Sequence, residues 1–155
     1  MSRSSPRRIP NDWHDGVIPD NVELGDDTYI ETSFSFSLCR SRRPLAIAMG
    51  RACSAYLGSM FDLGESGEMR IGDYVLLNGV RAVCDRSIEI GDHCLLSWNV
   101  VLMDTYRVPA DAVQRAALLS RFAGRAQAIA YNREAEPIRI GANVWLGFDV
   151  CVLPG

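Results

Sequence analysis

Aliphatic residues recur every six positions along most of this chain. Ile18, Leu24, Ile30 and Phe36 form one run, and Ile71, Leu77 and Val83 a second. Ile90, Leu96 and Leu102 form a third, Ile140, Leu146 and Val152 a fourth. Four residues after many of these stands a small or β-branched side chain: Val22, Thr28, Val75, Ser87, Cys94, Val100, Val144 and Val150. Glycine often follows the aliphatic residue, as at Gly25, Gly72, Gly91, Gly141 and Gly147. A period of six suits neither an amphipathic helix nor an alternating strand. It predicts a β-helix in which each hexad is one short strand and one corner, and three hexads make a triangular coil. The aliphatic residue then points into the prism, and Gly-Asp or Gly-Ala pairs turn the corners, where glycine tolerates unusual backbone angles. Each coil buries its core only by stacking on the next. A β-sandwich would instead show period-two alternation without fixed corners.

Interruptions of the rhythm divide the chain. Residues 1–16 are polar, hold Pro6 and Pro10, and read as an N-terminal arm; 17–155 form the β-helix domain. Between Ser37 and Met69 the register blurs, which predicts a loop around Arg40, Arg42 and Arg43 and irregular coil from Ile47. The step from Val83 to Ile90 is seven, so an extra residue is expected at the Asp85-Arg86 corner. The pattern then stops between Leu102 and Ile140, leaving an inserted loop at 103–137. Within it, Asp111 to Ala126 reads as a helix, started by Pro109 and Asp111. Val113, Ala116, Ala117, Phe122 and Ala123 suggest its apolar face. Repeat proteins place such insertions on their binding face.

Composition narrows the chemistry. Hydrophobic residues make up 48% of the 155, enough for a real core, and the net charge of −3 gives no case for nucleic acid or membrane as partner. Every basic residue is arginine, which removes Schiff-base and P-loop lysine chemistry. Five cysteines without paired spacing read as free thiols in a reducing compartment. The first residues lack the apolar stretch of a secretory signal, so a cytoplasmic address is expected. Two histidines without ligand-like spacing give no metal site.

Ile90-Gly-Asp-His-Cys-Leu-Leu-Ser-Trp-Asn-Val-Val-Leu-Met-Asp104 and Pro137-Ile-Arg-Ile-Gly-Ala-Asn-Val-Trp-Leu-Gly-Phe-Asp-Val-Cys-Val-Leu-Pro-Gly155 resemble the hexapeptide-repeat acyltransferases. The likeness is to the maltose, galactoside and xenobiotic acetyltransferase branch, marked by Asn143-Val-Trp-Leu-Gly147 and Val152-Leu-Pro-Gly155. It covers residues 69–155 well and the first coils only in period. It implies an all-β, left-handed parallel β-helix with one long inserted, helix-bearing loop. It also implies a homotrimer with active sites between subunits. The co-substrate would be a coenzyme A thioester, acetyl-coenzyme A in the simplest case, and the acceptor a hydroxyl or amine of a sugar-like molecule.

The resemblance assigns residues one by one. Asn78 falls where the family keeps an Asn near the reacting centre, and its amide could polarise the oxyanion. Asp85 falls where relatives grip acceptor hydroxyls. Trp98 and Arg107 join it as candidates for acceptor contact, and Trp145 matches the Trp of the donor cleft. The family's general-base His falls on Arg107 or Val108, neither of which can take a proton. Asp104 is the local candidate to replace it, since a shielded carboxylate can rise toward a useful pKa. His93, His14 and Tyr106 are alternatives. Arg115, Arg121, Arg125 and Arg133 could meet phosphates, although a solvated helix face explains most of them. Relatives continue past the Leu-Pro-Gly motif, so further coils and a cap are expected beyond Gly155. The expected function is acyl transfer; a trimeric β-helix that binds a saccharide or partner protein without chemistry is the alternative.

Overall fold

A computed structural model of the chain describes residues 7–122 and 134–155. Among these residues, fourteen short strands wind into a parallel β-helix with three flat sides. Sheet A contains β1 (Val22–Leu24), β3 (Ile47–Met49), β6 (Glu68–Ile71), β9 (Ser87–Ile90) and β12 (Ile138–Ile140). Sheet B contains β2 (Tyr29–Ile30), β4 (Ser54–Tyr56), β7 (Leu76–Asn78), β10 (Leu95–Leu96) and β13 (Trp145–Leu146). Sheet C contains β5 (Met60–Leu63), β8 (Arg81–Cys84), β11 (Val101–Met103) and β14 (Cys151–Val152). All pairings are parallel, so each coil repeats the path of the one before.

Inward side chains stack in rows. Ile47, Met69 and Ile88 pair in register along sheet A, as do Ala55, Leu77 and Leu96 along sheet B. Nearly all of these are shielded from solvent. Burying each large aliphatic side chain contributes about 1.5–3 kcal/mol.

The structure corrects three expectations. First, residues 47–63 form a regular coil, not irregular chain. Its inward slots hold Met49, Ala55 and Phe61, and sizes compensate between coils: Ala55 lies beside Leu77, and Phe61 beside Ala82. Second, Val83 faces outward while Ala82 takes the inward slot between Phe61 and Leu102, and Ile88, not Ser87, fills the next. The beat is lost at the Gly79-Val80 corner, where two residues replace Leu57-Gly58-Ser59 of the preceding coil. The Asp85-Arg86 corner does carry extra length, by two residues: inward Ala82 and Ile90, the register partner of Ile71, are eight positions apart instead of six. Third, the corner glycines between sheets A and B do not hold the left-handed angle. Asp27, Tyr74, His93 and Asn143 do, with φ near 60° (59°, 58°, 59° and 59°). Gly50 is needed for close stacking instead: a Cβ there would lie 2.6 Å from the Gly72 carbonyl oxygen.

The third side of the first coil is a 3-10 helix, Ser33–Phe36, rather than a strand. Thr32 caps it, its side chain accepting the Phe34 N–H, and Phe36 stacks on Phe61 at 5.6 Å. The arm packs here. Arg7 donates to the Pro19 and Val22 carbonyls, and Asp12 accepts from the Thr32 hydroxyl (2.7 Å), the Ser33 hydroxyl and the Ser33 N–H (3.1 Å). Burial alone would push the Asp12 carboxyl up; these bonds, with the His14 N–H, outweigh it and hold it well below the usual range. A carboxyl depressed in the native state lends stability above its unfolded pKa, 3.8, and loses it as pH falls through the native value. Asp12→Asn should therefore loosen the arm at neutral pH, and wild type should loosen only in acid. Limited proteolysis between Arg8 and Gly16 checks this.

Helix α1 (Ala112–Phe122) begins at Asp111, whose carboxylate accepts the Gln114 N–H at 2.8 Å. Val113, Ala116, Ala117 and Leu119 are exposed, so the predicted apolar face meets solvent in the isolated chain. Ala123 lies outside the described residues.

Candidate functional site

The inserted loop leaves sheet C at Asp104, at the corner between sheets C and A. Asp104 continues the inward row of Leu63 and Cys84, a position otherwise apolar, and has no exposed surface. One carboxylate oxygen accepts the Asp85 N–H at 2.8 Å, the other the Arg86 N–H at 2.7 Å. Burial pushes its pKa up, against the pull of those two N–H bonds and of Cys84. Burial and the Asp104 carboxylate together drive the Cys84 thiol far up, so it is inert. This geometry makes Asp104 a clamp on the turn: a carboxylate sealed from solvent and engaged with two backbone donors does not reach a substrate.

The clamp presents the side chains of the turn. Asp85 receives Arg107 through two nitrogens, Nη2 at 2.8 Å and Nε at 3.1 Å. The same guanidinium reaches the Asp62 carboxylate at 2.8 Å and its carbonyl at 3.0 Å. Arg40 meets the other Asp62 oxygen at 3.0 Å. A row Arg40–Asp62–Arg107–Asp85 thus runs across four segments. Arg107 sits at φ 52°, a left-handed angle uncommon outside glycine. Its side chain is 14% exposed, that of Asp85 16%. Burial would lower the Arg107 pKa, but the bonds to Asp85 and Asp62 raise it. Asp62 and Arg40 are the members that sequence reasoning missed. The signal was Asp62 in an outward slot of Met60-Phe61-Asp62-Leu63, and only the coil register joins it to Arg107.

The other candidates lie along sheet B. Asn78 ends β7 half-buried. Trp98 stands at the corner between sheets B and C, its ring over Gly79, where a Cβ would meet indole Cδ1 at 3.9 Å. It stacks on Phe148 with centroids 5.1 Å apart. Trp145 lies on the outer face of sheet B, donating its indole N–H to Ser97 Oγ at 3.1 Å, and is 71% exposed. So the structure unites Asp104, Asp85 and Arg107 on one edge of the prism and places Asn78, Trp98 and Trp145 on another.

The alternative bases sit elsewhere. His93 occupies the corner between sheets A and B and stacks on Tyr74 at 5.0 Å; His14 packs on Phe34 in the arm. Tyr106 is exposed near the corner. Arg115 donates to the Pro109 and Ala110 carbonyls, Arg121 is exposed, and Arg125 and Arg133 lie outside the described residues. A shallow groove of 430 Å³ on sheet A is lined by Arg70, Glu89 and Arg139 among others, with Arg139 paired to Glu89 at 3.3 Å. Among the described residues, no three His, Cys, Asp or Glu side chains are grouped to hold a metal, and no helix is long and apolar enough to cross a membrane. All five cysteines are free thiols. No family model, no curated protein and no solved structure matches the chain.

Proposed function

We propose that this chain is an acyl-coenzyme A dependent transferase that moves a short acyl group, acetyl in the simplest case, to a hydroxyl or amine of a sugar-like acceptor. The observation that carries this reading is Asp85, a carboxylate that keeps 16% of its side chain exposed beside Arg107, held in place where the long loop leaves the solenoid. In this scheme Asp85, and not the sealed Asp104, is the base. It accepts the acceptor's proton as that oxygen or nitrogen attacks the thioester carbon. Asn78 donates to the oxyanion. Collapse breaks the carbon–sulfur bond, and the departing thiolate takes the proton, giving ester or amide and free coenzyme A. Trp145 flanks the donor, Trp98 and Arg107 the acceptor. Because these groups occupy two edges of one prism, the reading calls for a homotrimer in which neighbours complete each site. The free thiols fit a reducing, cytoplasmic setting.

Thiol release from acetyl-coenzyme A across a panel of sugar and amino-sugar acceptors tests it. Turnover is expected with at least one acceptor, and Asp85→Asn should cut it about 100-fold or more. Undiminished turnover in that variant sinks the role of Asp85; no turnover with any acceptor sinks the reading.

One observation favours a second reading. Arg107 neutralises Asp85 where the resembled family has its base, which suits a module that binds a saccharide or protein without chemistry. Acceptor binding without thiol release, and transfer appearing only in Arg107→His, would favour it.

A further inference from the structure

Arg107 presents two edges, and a carboxylate from a different coil occupies each. Nη1 meets Asp62 at 2.8 Å. That edge is anchored from behind: Arg40 holds the other Asp62 oxygen at 3.0 Å, and the Asp62 carbonyl takes Nη2 at 3.0 Å. Nε and Nη2 form the second edge. They span the Asp85 carboxylate, Nη2 reaching Oδ1 at 2.8 Å and Nε reaching Oδ2 at 3.2 Å. This planar fork matches any carboxylate or phosphate. Asp85 fills it from the turn and is covered in return, because the guanidinium engages both of the oxygens that would take a proton. The turn is fixed, since Asp104 clamps the Asp85 and Arg86 N–H groups. Arg107 is the movable member: a long side chain on the loop between exposed Tyr106 and Val108. Its left-handed φ of 52° is of the kind that clusters at ligand clamps. A second cation stands next in sequence to Asp85. Arg86 is exposed and, among the described residues, has no carboxylate partner; its guanidinium reaches the Ala135 carbonyl at 3.3 Å.

We propose that the Nε–Nη2 edge of Arg107 is an anion subsite, that Asp85 fills it in the free protein, and that the acceptor is an anionic sugar whose carboxylate or phosphate displaces Asp85 from it. This deepens the transferase reading and rests on it. Arg107 turns about its Asp62 anchor and trades one carboxylate for another anion. It therefore never stands unpaired in a place only 14% exposed, where a bare charge is costly. Asp85, released, accepts the hydroxyl or amine of the same acceptor. Arg86 adds a positive charge beside the incoming anion. A neutral sugar brings nothing to exchange and leaves Asp85 covered. The group that anchors the acceptor is thus the group that uncovers the base, which makes Arg107 the specificity-determining residue of the site.

Proton–nitrogen correlation spectra of the arginine Nε–H groups test it on the full chain, the Arg107 signal being assigned by its loss in Arg107→Lys. Glucose, glucuronate and glucose 6-phosphate serve as probes that differ in charge, and sulfate as the bare anion. Glucuronate or glucose 6-phosphate should move the Arg107 signal and bind about tenfold or more tightly than glucose; the tighter of the two identifies the anion. Asp85→Asn removes the internal competitor and, once circular dichroism shows it folded, should bind that probe more tightly than wild type. An Arg107 signal that neither sugar anion moves overturns the proposal. So does binding that Asp85→Asn leaves unchanged or weakens. A sulfate response equal to that of the sugar anions means an adventitious ion only and overturns it too. Equal thiol release with glucose and with the anionic sugars overturns it while the transferase reading stands. Anion binding as expected, without thiol release from acetyl-coenzyme A, counts against the transferase reading alone.

Discussion

Phe61→Ala should remove about 3–5 kcal/mol of folding stability, the largest loss expected from any single substitution in this chain. Phe61 has no exposed surface and lies between the Phe36 ring and the methyl of Ala82, with Leu102 one coil beyond. A solenoid row cannot collapse sideways into such a gap, because strand spacing is fixed by the ladders on all three sides. The loss therefore combines transfer of the ring to water with the cavity left behind. Moving the ring one coil along tests this more sharply. Phe61→Ala with Ala82→Phe keeps the row's total volume and should recover much of the loss. Urea unfolding of the two variants checks it. A single-variant cost below about 1 kcal/mol, or a double variant worse than the sum of its parts, would show that the rows do not behave as one packed column.

Asp104→Asn comes second. An amide offers one oxygen where the carboxylate offers two, and its NH2 would face the Arg86 or Asp85 N–H. One buried donor is left unsatisfied, which costs about 1–3 kcal/mol, or roughly 2–4 °C in Tm per kcal/mol. The pH dependence has a definite sign. Burial raises the Asp104 carboxyl above 3.8, so the native state holds this proton more tightly than the unfolded chain. Its contribution is complete below 3.8 and is lost as pH rises through the native value. The Asn variant should lack that slope. A catalytic base would behave otherwise, losing turnover while stability and its pH profile stayed unchanged.

Much of the fold was legible because a six-residue corner-to-corner period leaves the same residue type in the same slot coil after coil. It blurred at Ala55 and Phe61, where packing conserved the volume of a row rather than of a position. It undercounted the extra length at the Asp85-Arg86 corner because Val83, an outward residue, is as aliphatic as an inward one, and the one-residue contraction at Gly79-Val80 hid part of the excess. The candidate site was partly legible. Asp85 and Arg107 stood out as residues, and the register makes them partners. The sequence points to Asp104 as a base because a carboxylate beside a loop suggests chemistry. Its two backbone donors come from a turn one coil away, which linear spacing does not show. Asp62 and Arg40 were invisible for the same reason.

The three tryptophans allow one direct test of the central claim, that sheet B and its corner with sheet C flank the acyl donor and acceptor. Trp13 lies in the arm, Trp98 at that corner and Trp145 on sheet B, so three indole N–H signals report three places on the molecule. On titration with coenzyme A, a proton–nitrogen correlation spectrum should show the Trp145 signal move first. Trp98 should follow when a sugar acceptor is added, and Trp13 should stay fixed. If no indole signal moves, or Trp13 alone responds, the donor and acceptor do not bind along sheet B and the account is wrong.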